Sequence, residues 1–247
     1  MSDPTWRAGT ITAMQSVLLQ AQDPQDFVDR AARCTLRRVG TRGAVSLVAR
    51  HRSRHVVAAT DERAVRCLAV ELDQGVGPAS DCLADGNPRI VRDTRPPGRW
   101  PGWLRTIGLE GFAGAVIVPS VVDASTDLVL TVYVDRPCVP DTASAHRSEQ
   151  LAIEVARSWG FLMRTVETET LNADLRSALD SRTTIDQAIG VIMARHCCSA
   201  DAAFSMLRET SRRRSVKLRH VASAVVEAVS GSPARPAPAF RERTTGD

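Results

Sequence analysis

The stretch from 142 to 195 constrains this chain most. It contains no proline, and its apolar residues recur at helical spacing, which predicts helix throughout. At about 1.5 Å per residue, an unbroken helix of that length runs on the order of 80 Å, so the sequence predicts a break or bend within it. Leu171, Leu175, Ala178, Ile185, Ile189 and Ile192 follow an alternating four-three spacing, with Arg182 at one seam position. That is the heptad pattern of paired helices, and Leu171, Leu175 and Ala178 are the predicted seam of a homodimer. Beyond Arg182 two readings stand equal: the stripe continues the seam, or it packs on the chain's own later helices.

Two such helices follow. Ser199 is a predicted N-cap with Asp201 in the first turn, and Ala203, Phe204 and Leu207 set an apolar face. Ser215 reads as a second cap before Leu218, Val221, Ala222, Val225, Val226 and Val229, a helical stripe closed by Gly231. Three short helices with facing stripes predict a compact all-α module. The tail 232–247, rich in proline and arginine, is expected to be disordered.

The first 165 residues mix α and β. Two amphipathic helices lead, with Ile11, Met14, Val17 and Leu18 on one face and Phe27, Ala31 and Cys34 on another, the second stopping at Gly40. Segments 44–49 and 55–60 predict a hairpin around a polar turn at 50–54, and 114–122 with 128–135 predict an antiparallel pair. Between them Val65, Leu68, Ala69 and Leu72 mark a predicted helix face ending near Gly75, and Gly75, Gly77 and Pro78 open another short helix. Pro96, Pro97, Gly98, Pro101 and Gly102 break the chain into a loop that Trp100 and Trp103 pin to the core.

Several function classes are set aside at this level. No nucleophile elbow, phosphate-binding glycine loop or zinc-protease motif occurs, and the five histidines form no recognisable ligand pattern. His51 and His55 read as solvated hairpin residues. Asp135 ends a strand as a phosphoryl acceptor would, but the lysine such a site needs is missing, since the chain's only lysine is Lys217. Nothing points to an enzyme. Six cysteines without a C-x-x-C pair argue against a disulfide or zinc framework, and Cys67 and Cys82 read as ordinary buried thiols. With no long apolar run and no leader pattern, a cytoplasmic protein that avoids membranes is expected. Net charge is +4, so the distribution matters more than the total. Within 205–220, Arg208, Arg212, Arg213, Arg214, Lys217 and Arg219 face only Glu209, the one concentrated basic patch.

The C-terminal residues resemble a known family. Ser181–Met193 (SRTTIDQAIGVIM), Ser199–Arg208 (SADAAFSMLR) and Lys217–Ala222 (KLRHVA) are similar to an ANTAR domain in order and spacing. The resemblance implies a three-helix RNA-binding module that acts in transcription antitermination as a dimer on RNA stem-loops of nascent transcripts. The preceding region resembles a GAF domain through Val57–Glu62 (VAATDE), Gly75–Pro78 (GVGP), Trp100-Pro101 and the strand pair. It implies an antiparallel sheet with flanking helices that senses a small-molecule ligand or redox state; no cofactor is named by these residues. Three departures stand out. The family's Ala-Lys-Gly is Ala188-Ile189-Gly190, its Asn-Arg is Ser215-Val216, and the Cys that follows Gly-Pro in GAF domains is Ala79.

The expected organisation is therefore α+β: a GAF-like sensor over 1–165, an ANTAR module over 166–231 and the tail 232–247. The expected RNA-binding residues are Arg182, Gln187, Arg208, Arg212, Arg213, Ser215, Lys217 and Arg219. Arginine and lysine would neutralise phosphates, while Gln187, Arg182 and Ser215 would reach base edges or sugar hydroxyls. Phe204, placed in the core by its spacing, leaves stacking to arginine, His196 or His220. The sensor's state would pass along the 142–180 helix. A duplex-DNA reader of helix-turn-helix type and a purely structural dimer module are the alternatives.

Overall fold

The computed structural model describes residues 4–94, 98–136 and 142–231. It divides into two compact units, Met1–Val166 and Glu167–Asp247. The tail expected to be disordered lies outside the described residues. No described helix is long and apolar enough to cross a membrane.

The first unit is built on five antiparallel strands: β1 (Gly43–His51), β2 (Arg54–Ala59), β3 (Arg89–Val91), β4 (Gly114–Asp123) and β5 (Thr126–Val134), in the order β2-β1-β5-β4-β3. Both sheet faces are covered. Side chains alternate across a strand, so Val45, Leu47 and Ala49 of β1 with Leu128, Leu130 and Val132 of β5 face one layer. That layer is α1 (Pro4–Gln20), α2 (Pro24–Val39) and the start of α6 (Thr142–His196), through Met14, Phe27, Leu151 and Trp159. Ala44, Val129 and Tyr133 face the other way, onto α3 (Glu62–Gln74), α4 (Pro78–Asp85) and α5 (Pro101–Leu109).

Local chemistry sets the boundaries. Asp23 caps α2 by accepting from the Asp26 N–H at 2.9 Å, and Gly40 ends it in the left-handed region at φ 68°, where the missing Cβ removes the steric cost. The β1–β2 turn is shorter than the sequence predicted: strand runs through His51 and resumes at Arg54, because Arg52 takes φ 53° and its N–H reaches the Ser125 carbonyl at 2.7 Å. His51 is buried, not solvated, and shares a 2.7 Å hydrogen bond with the Thr126 hydroxyl across the β1–β5 ladder. Trp100 and Trp103 are pinned to the core as expected, but they open the helix α5 instead of lying in a loop.

The face of α3 differs from its sequence reading. Val65 and Leu72 are exposed, and Ala64, Cys67, Leu68 and Glu71 point inward. The reason lies in α4, whose N-cap Gly77 has no side chain to offer. The Glu71 carboxylate supplies the acceptor instead, taking the Ala79 N–H at 2.6 Å and the Ser80 N–H at 3.1 Å. Gly77 is required there, since a Cβ would collide with the Glu71 side chain. Burial at 4% exposure pushes the Glu71 carboxyl above its ordinary range, outweighing the two backbone hydrogen bonds. The folded protein thus keeps a proton that the unfolded chain has already released, and stability falls as pH rises from the ordinary carboxylate range through the raised value. Glu71→Gln keeps an oxygen acceptor but cannot ionise. Thermal midpoints recorded from about pH 4 to about pH 8 are expected to show that decline in the parent and not in the variant; equal slopes would refute the account.

The helix α6 is continuous over Thr142–His196, without the expected break. Gly160, the residue most able to interrupt it, serves close approach: a Cβ there would meet Val122 Cγ1 at 3.1 Å. Burial fixes the Cys67 and Cys82 thiols in the protonated form, pushing them up to about 12 and about 11.

Candidate nucleic-acid interface

The second unit holds the later part of α6, then α7 (Ala200–Arg214) and α8 (Leu218–Ser230). Their common core is Ala188, Ile192, Ala203, Leu207, Val221 and Ala222, with Ile185 and Ile189 packed against it. This decides between the two readings of the α6 stripe: beyond Arg182 it packs on the chain's own helices. Leu171 and Leu175 stay 62% exposed within the single chain, and Leu179 stays 64% exposed.

The α7–α8 corner is tightly held. Ser199 caps α7, accepting from the Ala202 N–H at 3.3 Å. At the other end Ser215 is not the cap of α8: it closes α7 in the left-handed region at φ 53°, its N–H donating to the Arg212 carbonyl at 3.2 Å. The Ser211 hydroxyl donates to the Val216 carbonyl at 2.6 Å and locks the turn. Lys217 occupies the N-cap of α8 without a side-chain capping bond, which leaves first-turn N–H groups for an outside acceptor. Arg212, Arg213, Ser215 and Lys217 are all exposed on this corner.

The remaining sequence-selected residues are spread more widely. Arg182 and Gln187 are exposed on α6, with Arg182 lying 3.9 Å from Asp186 one turn on. Arg208 sits on α7 with its guanidinium carbon 5.9 Å from the Phe204 ring centroid. Phe204 is 36% exposed rather than buried in the core, because Ala203 and Leu207 fill the facing positions. The module therefore offers an aromatic surface with a cation over it, which the apolar spacing had hidden.

Arg219 and the stacking candidate His220 line a groove of about 540 Å³ inside this unit. From α6 come Ala173, Arg176, Ser177, Asp180, Ser181 and Thr184, spaced so that they share one helix face. From α8 come Arg219, His220 and Ser223. Arg219 Nε donates to His220 Nε2 at 3.2 Å, so the two side chains are held together. Sequence reading missed the α6 wall. Its polar residues at helical spacing look like any solvated face until α8 is laid opposite. No group of three or more metal-ligating side chains occurs among the described residues.

The two units thus define a class: a sheet-based α+β domain followed by an all-α module with a basic corner and a polar groove. Residues 173–226 match the family model of the ANTAR domain. The chain carries an ANTAR domain over these residues, preceded in sequence by the five-stranded antiparallel sheet unit. No curated protein matches the chain in sequence. Among solved structures it is similar to the bacteriophytochrome RpBphP3 from the photosynthetic bacterium R. palustris, at 14% identity and TM-score 0.50. That match covers 85% of this chain and 47% of the phytochrome chain, and is a likeness of fold. The GAF domain of a phosphoenolpyruvate-protein phosphotransferase from Coxiella burnetii matches at 12% identity and TM-score 0.47, over 67% of this chain and 99% of that one. The N-acylhomoserine lactone-dependent LuxR family transcription factor CepR2 from Burkholderia cenocepacia matches at 14% identity and TM-score 0.47, over 65% and 96%.

Proposed function

We propose that this protein is a cytoplasmic regulator that binds RNA stem-loops in nascent transcripts through its ANTAR domain and causes transcription antitermination. The observation that carries the reading is the coincidence of the ANTAR match over 173–226 with the exposed basic corner at Arg212, Arg213 and Lys217. Phosphate neutralisation supplies most nucleic-acid affinity, and the uncapped start of α8 adds a partial positive charge at the same corner. Arg182, Gln187, Arg208, Ser215 and Arg219 extend the contact surface, and Phe204 with Arg208 supplies a stacking platform for an unpaired base. The GAF-like domain, over about 1–165, is the sensor for a small-molecule ligand, and its liganded state shifts the pairing of α6 and so the presentation of two RNA sites. Catalysis has no part in this reading.

The deciding experiment is competition: labelled RNA hairpin bound to the full chain, challenged with unlabelled hairpin or with duplex DNA of equal charge. Hairpin RNA is expected to displace at a concentration at least about tenfold lower. A duplex preference would replace this function with that of a DNA reader.

The protein acts as a homodimer paired along Leu171, Leu175 and Ala178. The exposed leucines carry this proposal, because a stripe of large apolar residues left in water on one helix face loses its burial energy until a second helix covers it. Leu171→Glu with Leu175→Glu places carboxylates in the seam, and light scattering is expected to report the mass of one chain where the parent reports two. An unchanged mass would remove the seam from the account.

A further inference from the structure

The groove between α6 and α8 has a chemistry more selective than phosphate binding. Its volume of about 540 Å³ is that of a small-ligand cleft, for which about 300–1,000 Å³ is usual. The groups lining it are of three kinds. Arg176 and Arg219 only donate, Asp180 when ionised only accepts, and Ser177 and Ser181 do both, while the Thr184 and Ser223 hydroxyls, which donate to the Asp180 carbonyl and the Glu227 carboxylate, are left as acceptors. Arg176 and Asp180 are one helical turn apart on α6, yet Asp180 makes no ion pair among the described residues. The carboxylate is therefore an unpaired acceptor in the lining of the groove, which Arg176 and Arg219 also line.

The groove also lies on the free side of α6. At 3.6 residues per turn, Leu171, Leu175 and Ala178 cluster on one face, and Ala173, Ser177, Asp180 and Thr184 cluster on the face opposite. A partner helix on the leucines leaves the groove open.

We infer that this groove receives one unstacked nucleotide of the bound RNA loop and selects a base that carries an amino group on its pairing edge, rejecting uracil; the inference rests on the RNA-binding reading above. Arg176 and Arg219 hold the flanking phosphates, and the hydroxyl groups are suited to the ribose 2′-OH. Asp180 accepts from the exocyclic amino group of adenine, cytosine or guanine. Uracil offers a single N3–H flanked by two carbonyl oxygens, which oppose the carboxylate. His220, tied to Arg219, gives a flat surface beside the base. A carboxylate in a phosphate-binding cleft weakens backbone affinity, so discrimination between bases is what it contributes.

The test uses the full chain and three RNA hairpins with one common stem and eight-nucleotide loops of adenosine, cytidine or uridine, read by fluorescence anisotropy. The parent protein is expected to bind the adenosine and cytidine loops about tenfold more tightly than the uridine loop. Asp180→Asn, whose amide both donates and accepts, is expected to bring all three within about twofold. Arg176→Gln with Arg219→Gln is expected to weaken all three by a similar factor and keep the ratio. Asp180 is exposed, so its replacement leaves the helices intact, verified by an unchanged thermal midpoint. A parent that binds the three loops equally, or an Asp180→Asn variant that retains the full ratio, overturns the inference while RNA binding stands. A parent that binds no hairpin in preference to duplex overturns both.

Discussion

Replacing Arg212, Arg213 and Lys217 together by alanine is expected to lower hairpin affinity about 100-fold and to leave the oligomeric state unchanged. The three side chains are exposed at the end of α7 and the start of α8, clear of the helical core formed by Ala188, Leu207 and Val221. Their loss therefore removes charge without removing packing. The diagnostic is salt. Each phosphate neutralised releases a counterion, so the slope of log affinity against log salt is expected to become shallower by about three. A fall in affinity with an unchanged slope would mean that the corner acts by shape and not by charge. Loss of the proposed dimer in the same variant would mean that these residues serve assembly, as the structural-module alternative requires.

Trp159→Ala is expected to destabilise the N-terminal unit by about 3–5 kcal/mol, a large fraction of the 5–15 kcal/mol that a domain has available. Trp159 is fully buried, its ring stacks on Phe27 with centroids 6.3 Å apart, and its Nε1–H donates to the Arg50 carbonyl at 3.0 Å. One side chain thus joins α6 to α2 and to the end of β1. Alanine leaves a cavity and an unpaired carbonyl together. Trp159→Phe restores most of the packing but not the hydrogen bond, and is expected to cost about 1–2 kcal/mol. Denaturant unfolding followed by far-ultraviolet circular dichroism checks both values. A Phe variant as unstable as the Ala variant would assign the effect to the hydrogen bond.

The C-terminal module was the more legible half. Its helices are short, each carries a complete apolar stripe, and Ser199 and Gly231 mark their ends by side-chain chemistry and by φ. The corner residues follow from charge density alone. Two readings failed there. Phe204 and Ser215 were assigned by local pattern, but Ala203 and Leu207 take the core-facing positions of α7, and Ser215 closes that helix through its backbone N–H in the left-handed region. In the N-terminal unit the strand pair β4–β5 was legible because both of its faces are apolar, whereas β3 has only three residues and no alternation to read. The inward face of α3 was misread because two of its four members are a cysteine and a glutamate.

The order of residues by itself determined the α+β class, the long helix, the three-helix module with its family resemblance, and the clustering of cations before and after Ser215. These depend on periodicity and spacing within a few turns of chain, which a linear string records. Tertiary structure alone decided which part of the α6 stripe is covered, that Glu71 caps a helix it does not belong to, and that Asp180 and Arg176 face Arg219 across a groove. Each of those brings together residues on different helices, and burial, hydrogen bonding and cleft formation are set by which surfaces meet.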